Sequence, residues 1–203
     1  MITISLEGPD GCGKATQSLM LKEWFQANHP ELYPVAVLEF PSKENIAYAS
    51  IIKMLHDGSA SMRPVLFQFY HWINKFGFAS VLHTHNVLKF VDLSTSVIIL
   101  DRWRLSGLAY GAASGVPKRL SELMFACIPD ADLTIIFHGK QHRTEVRDIL
   151  ESDTDLQDAV QREYYTLATE ESKKPRVLVS TDASPEDVHS CVVAVIKKLL
   201  LKS

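Results

Sequence analysis

The stretch GPDGCGKAT, from Gly8 to Thr16, follows a short apolar run, Ile2 to Leu6, and precedes a pattern with the period of a helix. Its three glycines allow successive backbone N–H groups to converge on one point, and Lys14 adds a mobile positive charge where the helix begins. Converging amides at a helix N-terminus bind phosphate groups. The stretch therefore predicts a phosphate-binding loop between a strand and a helix, and with it a nucleotide-handling enzyme.

The loop departs from the usual Walker A pattern at one position. That pattern places a serine or threonine directly after the lysine, because the hydroxyl binds Mg²⁺, whereas this chain has Ala15 there and Thr16 one place later. We therefore expect magnesium to be held by phosphates, water and a carboxylate. Cys12 lies inside the loop, and we interpret it as a small space-filling residue; a redox-sensitive thiol is the alternative.

The composition favours one domain that acts on small molecules. The chain has 203 residues, 46% of them hydrophobic, which suits a single domain with one substantial core over residues 1–203. Its net charge of −3 gives no electrostatic footprint for nucleic acid. The three cysteines form no disulfide framework or metal-ligand spacing, and no apolar run is long enough to cross a membrane. We expect a cytoplasmic protein, in a cell or a host cell, without nucleic-acid or membrane partners.

Short apolar runs alternate with helical patterns along the chain, and this rhythm predicts an α/β fold with a parallel sheet covered by helices on both faces. Ligands bind such sheets at the carboxyl ends of the strands. The expected helices include Lys43 to His56, Pro64 to Phe90 and Gln141 to Leu150. The five expected strands are Ile2 to Leu6, Val35 to Phe40, Val97 to Leu100, Leu133 to Phe137 and Val177 to Val179.

The dipeptide Asp101-Arg102 directly follows the third expected strand. This position puts a carboxylate and a guanidinium at the same sheet edge as the phosphate loop. The acid can bind magnesium-bound water or orient an acceptor oxygen, and the arginine can hold a phosphate with two hydrogen bonds. For the dipeptide taken alone, an ordinary surface ion pair is an equal alternative.

Four further segments accompany the phosphate loop: FPSK (Phe40 to Lys43), LFQFYHW (Leu66 to Trp72), DRWRLSGLAYGAA (Asp101 to Ala113) and TDAS (Thr181 to Ser184). In their order and approximate spacing, the chain resembles the thymidylate kinase family of P-loop nucleoside monophosphate kinases over nearly its whole length. The resemblance implies a three-layer α/β/α fold with a five-stranded parallel sheet and a short lid at roughly 140–158. It also implies a homodimer that uses ATP and Mg²⁺ to phosphorylate a deoxynucleoside monophosphate, dTMP to dTDP, in dNTP synthesis.

The resemblance implies a donor site on the phosphate loop and an assisting set of charged residues. Lys14 holds the outer phosphates of ATP, Arg102 holds the acceptor, and Asp101 is the residue near the metal. The family also neutralises the transferring phosphoryl group with lid arginines. Arg143 and Arg147, one helical turn apart, are the candidates, with a solvated helix face as the alternative. The implied ATP-binding residues are Gly8, Gly11, Cys12, Gly13, Lys14, Ala15, Thr16, Asp182, Ala183 and Ser184.

The resemblance places the acceptor nucleotide at the other end of the site. It gives Asp10 the deoxyribose 3′-hydroxyl and Phe67 the face of the base, although a core phenylalanine is the alternative for Phe67. Tyr110 crowds the 2′ position of the sugar, which favours deoxynucleotides, and Ser106 is a second base contact. The implied acceptor-binding set is Asp10, Phe40, Lys43, Phe67, His71, Arg102, Ser106 and Tyr110.

Two of these acceptor residues differ from the family pattern. His71 stands where an arginine usually reads a carbonyl of the pyrimidine, and Lys43 stands where an arginine usually contacts phosphate. A histidine still donates a hydrogen bond but is shorter, and a lysine keeps the charge but loses the two-pronged guanidinium. A kinase of different or broader base specificity is therefore an alternative. A catalytically silent nucleotide-binding module is another, motivated by Ala15 and the short lid.

Overall fold

The computed structural model describes residues 1–88, 94–139 and 149–201. Within these ranges, five strands form one parallel sheet in the order β2-β3-β1-β4-β5. The strands are β1 (Ile2–Glu7), β2 (Val35–Glu39), β3 (Val97–Asp101), β4 (Leu133–His138) and β5 (Arg176–Ser180). The α/β class and the five-stranded parallel sheet expected from the sequence are confirmed.

Helices cover both faces of the sheet. In the described ranges they are α1 (Lys14–Asn28), α2 (Tyr48–His56), α3 (Ser59–Met62), α4 (Pro64–Leu88), α5 (Arg104–Ala113), α6 (Lys118–Phe125), α7 (Ile149–Ser152), α8 (Thr154–Thr169) and α9 (Pro185–Leu200). No helix in the described part of the chain is both long and apolar enough to span a bilayer. α9 begins as its sequence indicates, because Ser184 caps it through the amide of Asp187 at 3.1 Å.

The two faces of the sheet carry separate parts of the core. On one face, α1 and α9 bury Phe25 and Ile196 against the side chains of the central strands. On the other, α5 and α8 bury Leu105 and Tyr164 beneath Ile136. Because the three inner strands are covered on both sides, they form continuous apolar runs, and this explains why the sequence reveals them.

The predicted helices differ from the structure at α2 and at α3. α2 begins at Tyr48 and not at Lys43, because the side chain of Asn45 accepts a hydrogen bond from the amide of Ala47 at 2.9 Å and holds the preceding segment as turns. The short helix α3 has no counterpart in the prediction. Most of the predicted helix Gln141 to Leu150 lies outside the described residues.

Gly107 in α5 is a packing requirement. A Cβ atom placed there would lie 2.2 Å from the ring of Phe125, so the helix contacts that ring directly. Gly77 in α4 is a useful contrast, because a Cβ atom there would meet only the side-chain amide of Asn45, at 3.2 Å. The first site cannot accept a methyl group without moving a buried ring, whereas the second can.

We expect Gly107→Ala to lower the free energy of unfolding by about 2 kcal/mol, because the methyl group overpacks the core. Gly77→Ala should change it by less than about 1 kcal/mol, because the gain in helix propensity offsets a small side-chain shift. Urea unfolding monitored by circular dichroism measures both. Equal losses in the two variants would contradict the packing argument.

Candidate active site

A cavity of about 720 Å³ opens at the carboxyl edge of the sheet. Its walls include the phosphate loop, the ends of β2 and β3, and one face each of α4 and α5. The predicted site residues that line it are Asp10, Gly11, Gly13, Lys14, Ala15, Thr16, Phe40, Lys43, Phe67, His71, Asp101, Arg102, Ser106 and Tyr110. The fold therefore brings most of the donor and acceptor residues implied by the resemblance to one place.

The phosphate loop has the geometry that its glycines predict. Gly8 has a φ of 139°, and a Cβ atom there would lie 2.6 Å from the carbonyl oxygen of Phe137, so no other residue fits. Gly13, with a φ of 83°, starts α1, and no side chain caps that end. The Lys14 ammonium donates to the carbonyls of Gly8 at 3.1 Å and Pro9 at 2.6 Å. The helix N-terminus and the lysine thus concentrate positive potential in the loop.

Some predicted donor residues lie outside the cavity wall. Cys12 is buried in the core cluster beneath α1, with its Sγ 3.5 Å from the Lys14 ammonium, which fits the space-filling interpretation. Asp182, Ala183 and Ser184 follow β5 at the same sheet edge. Their role beside the adenine stays a prediction, as does that of Gly8 and Cys12.

Asp10, Arg102 and Tyr110 form a connected network in the cavity. The Arg102 guanidinium forms an ion pair with the Asp10 carboxylate, and the Tyr110 hydroxyl donates to the other carboxylate oxygen at 2.5 Å. The guanidinium also lies over the Tyr110 ring, 5.2 Å from its centre. Burial alone would raise the pKa of Asp10, but the charges of Arg102 and Lys14 lower it to about 2. Asp10 is therefore ionised throughout the physiological range.

The backbone of Arg102 adopts a left-handed conformation, with a φ of 66°. A residue with a β-carbon reaches this region at an energetic cost, and such strain clusters at functional sites. The amide of Arg102 donates to the carbonyl of Leu6 at 3.0 Å, which anchors the turn to β1. The turn lets the chain leave β3 while its guanidinium stays in the cavity.

Asp101 provides a buried carboxylate beside these cations. Burial raises its pKa, and the charges of Lys14 and Arg102 oppose that increase. The described residues contain no cluster of three or more metal-ligating side chains. Magnesium commonly takes only one or two protein carboxylates and completes its shell with phosphates and waters. The single carboxylate of Asp101, in a cavity with a phosphate loop, fits that kind of binding.

Phe67 and His71 lie one turn apart on α4 and both line the cavity. Their rings meet edge to face, with 4.6 Å between centres. Burial lowers the pKa of His71 well below its usual value, and the nearby Lys75 and Arg102 charges add to this. His71 is therefore neutral at pH 7, with one nitrogen that donates and one that accepts.

Glu7 is a site residue that sequence reasoning missed. It is fully buried at the end of β1 and accepts from the amides of Trp103 at 2.9 Å and Leu105 at 3.1 Å. It also accepts from the hydroxyls of Ser106 at 2.5 Å and Tyr164 at 3.3 Å. Burial raises its pKa, and the hydrogen bonds from Ser106 and Trp103 offset only part of that increase. The sequence does contain one signal that could have revealed Glu7, namely a charged residue directly after an apolar run.

The hydrogen bonds to Glu7 fix the N-terminus of α5 and occupy the hydroxyl proton of Ser106. The two amides are the otherwise unpaired N–H groups at the N-terminus of α5, so Glu7 performs the role of a helix cap from another strand. Because Ser106 donates its hydroxyl proton to Glu7, it keeps only acceptor capacity toward a ligand. Its predicted contact with the base stays a prediction.

Gln157 and Lys75 are two further residues that the sequence did not reveal. Gln157 accepts from the amide of Asp10 at 3.1 Å and donates to the carbonyl of Leu150 at 2.8 Å, which connects the phosphate loop to α7 and α8. Lys75 lies on the cavity face of α4, one turn beyond His71. The predicted lid candidates Arg143 and Arg147 lie outside the described residues.

We expect Glu7→Ala to lower the free energy of unfolding by roughly 3 kcal/mol, because it leaves two buried amides without an acceptor. Glu7→Gln should cost less than half as much, because its carbonyl oxygen can still accept from them. Chemical denaturation of both variants at pH 7 measures the difference. Similar losses in the two variants would contradict the capping role.

Comparisons with known proteins agree with this geometry. The thymidylate kinase family profile matches residues 6–192. The chain is 31% identical to the probable thymidylate kinase of Thermococcus onnurineus and 30% identical to that of Thermococcus gammatolerans, with 98% of each chain covered in both pairs. Its fold is similar to the solved thymidylate kinase of Candida albicans, with a TM-score of 0.75 and 18% identity over 97% of this chain and 91% of that one. It is also similar to the solved thymidylate kinase of Ehrlichia chaffeensis, with a TM-score of 0.67 and 21% identity over 96% of this chain and 98% of that one. With its phosphate loop, its Asp101-Arg102 turn and a family match that extends over nearly all its residues, the chain belongs to the thymidylate kinase family.

Proposed function

We propose that this protein transfers the γ-phosphoryl group of ATP to a deoxynucleoside monophosphate, with dTMP as the main acceptor. The observation that carries the proposal is that one cavity contains both the phosphate loop and the Asp10–Arg102 pair. Two phosphorylated ligands can therefore lie end to end, with their phosphates meeting between Lys14 and Arg102. Membership of the thymidylate kinase family supports the choice of acceptor.

The donor phosphates bind to the backbone amides of the loop and to Lys14. Lys14 exchanges its bonds to the carbonyls of Gly8 and Pro9 for the outer phosphates of ATP. The uncapped N-terminus of α1 adds favourable dipole interactions. Asp182, Ala183 and Ser184 lie beside the adenine, where their backbone groups make most of the contacts.

The acceptor is held from three sides. Arg102, with exposed Lys43 at the edge of the cavity, binds its phosphate. Asp10, ionised because its pKa is about 2, accepts from the sugar 3′-hydroxyl, and the Tyr110 ring packs against the 2′ carbon. Phe67 stacks on the base. Phe67 is 5% exposed and packs in a core cluster, but it also lines the cavity, and this position supports a stacking role in addition to core packing.

The chemistry needs positioning and charge neutralisation more than proton transfer. An acceptor phosphate oxygen is already ionised at neutral pH, because its second pKa is about 6. Lys14 and Arg102 hold the two phosphates in line and stabilise the charge that builds up as the bond transfers. Bound Mg²⁺, held through Asp101 and the phosphates, would neutralise negative charge on the donor. Lid arginines, with Arg143 and Arg147 as candidates, complete the neutralisation.

The function is tested with an ADP-release assay that presents ATP with dTMP, dUMP, dCMP, dGMP and dAMP. We expect dTMP to give the highest kcat/KM. Lys14→Ala and Arg102→Ala should each lower kcat by at least about 100-fold, because each removes a charge that the transition state needs.

Arg104→Ala is the matched control, since Arg104 lies in the same motif but pairs with Asp130 at 2.7 Å and does not line the cavity. It should keep kcat within a few fold. A strong preference for a purine acceptor would contradict the dTMP assignment, and ATP binding without any phosphoryl transfer would support the silent-module alternative.

A homodimer formed through α4 is part of the proposal. Phe69, Trp72 and Phe76 form a ladder of stacked rings on this helix, with centres 5.5 and 5.2 Å apart. Phe69 and Phe76 are 42% and 41% exposed, which makes an apolar patch on a helix that also lines the active site. The family resemblance supports a second copy of this chain as the partner. The three cysteines lie in described parts of the chain and none of them forms a disulfide bond, which supports a reducing compartment such as the cytoplasm.

We expect Phe76→Glu to raise the dimer dissociation constant at least ten-fold, because it places a charge in an apolar contact. Leu19→Glu, which introduces the same charge on exposed α1, is the control and should have no effect. Sedimentation velocity over a concentration series measures both. A wild-type monomer at all concentrations would contradict the dimer.

A further inference from the structure

The cavity face of α4 carries a third residue beyond Phe67 and His71. Residues four apart on a helix lie above one another, so Lys75 continues the line at the next turn. All three line the cavity. Lys75 is 2% exposed, whereas lysines are almost never buried without a partner. A buried ammonium group at this position needs an explanation.

The surroundings of Lys75 attract its charge but leave its donors unused. Its ammonium nitrogen lies 6.0 Å from the ring centres of both Phe40 and Phe125. Within the described part of the chain, Lys75 makes no hydrogen bond or ion pair. Glu7 attracts it over a longer distance, but the carboxylate of Glu7 is occupied by the amides and hydroxyls that it accepts from. The N–H groups of Lys75 are therefore free for an acceptor in the cavity.

Several other donors on the cavity wall are already engaged, because Arg102 and Tyr110 bond to Asp10 and Lys14 bonds to the loop carbonyls. Gly107 has no side chain, and Ser106 donates its proton to Glu7. Gln68 lines the cavity with a side-chain oxygen that has no partner, and an amide offers both donors and acceptors. His71 is neutral and also offers one of each. Lys75, in contrast, only donates, so it distinguishes a carbonyl oxygen from an amino group.

We propose that Lys75 is the specificity-determining residue for the acceptor base, donating a hydrogen bond to a keto oxygen on the edge of a ring that stacks on Phe67. The inference rests on the proposed function and extends it to the chemistry of the base. Thymine and uracil carry a keto oxygen at position 4, whereas cytosine carries an amino group there. An ammonium group favours the first pair and is repelled by the N–H donors of the second. Lys75 thus supplies the cation that His71 lacks.

The proposal predicts a pH dependence of acceptor binding. Burial lowers the pKa of Lys75 to about 8, with Glu7 opposing and Arg102 assisting that change. The ammonium form of Lys75 is therefore present below about pH 8 and is lost as the pH rises above it. Arg102 stays charged across this window, and His71 stays neutral, because its pKa is lowered well below 6.5. The wild-type kcat/KM for dTMP should fall several-fold between pH 7 and pH 9.5, a range in which the acceptor phosphate is fully ionised.

The test compares Lys75→Met with wild type and with Lys53→Met, a control that removes the same charge from an exposed position on α2. We expect Lys75→Met to raise KM for dTMP and dUMP ten-fold or more, the loss typical of a hydrogen bond to a charged group, with kcat within two-fold. KM for dCMP should stay the same or fall. The decrease in kcat/KM above pH 8 should disappear in Lys75→Met and remain in Lys53→Met.

Each outcome separates the inference from the proposed function. An unchanged dTMP-to-dCMP preference, or an equal rise in KM for every acceptor, would overturn the role of Lys75 while leaving the kinase intact. A wild-type protein that phosphorylates no monophosphate would overturn both. If Lys75→Met does not fold, Lys75→Gln replaces it, because an uncharged amide donates and accepts and should shift the preference toward dCMP; no shift in that variant overturns the inference.

Discussion

The parallel pairing of β1 with β3 is the constraint on which the site depends. It aligns Leu6 with Asp101, so the phosphate loop and the Asp101-Arg102 turn leave the sheet side by side. The amide of Arg102 donates to the carbonyl of Leu6, and the carboxylate of Glu7 accepts from the amides of Trp103 and Leu105. Two segments about 90 residues apart in sequence are thereby held within hydrogen-bonding distance, as the bond from Arg102 to the Gly8 carbonyl illustrates.

The sequence predicted the parts of this arrangement that have local causes. The glycine spacing of the loop reflects the backbone conformation of a few neighbouring residues, and its predicted geometry is confirmed. The inner strands are confirmed as well, because burial on both faces gives each of them a continuous apolar run that a short stretch of sequence displays. The start of α2 was predicted wrongly, because a hydrogen bond from the amide of Ala47 to the side chain of Asn45 competes with the helical pattern. Local pattern analysis does not include such competition.

The residues that were missed owe their roles to tertiary contacts. Glu7 matters because its partners come from the turn after β3 and from α8, and Gln157 because its partner is the loop amide of Asp10. Nothing in the sequence distinguishes Lys75 from a solvent-facing lysine. Its burial follows from tertiary contacts with the rings of Phe40 and Phe125. No periodicity in the chain specifies these neighbours. The order and spacing of several motifs, in contrast, indicated the family and most of the cavity wall.

The double attachment of Asp10 has a consequence for ligand affinity. Its side chain is fixed by Arg102 and Tyr110, and its main chain is fixed by Gln157, so both ends of the residue are ordered before any nucleotide arrives. A ligand that meets a rigid contact does not have to supply the conformational entropy of ordering it. A ligand that binds to Asp10 therefore enters a preorganised site, and more of its interaction energy remains as net affinity.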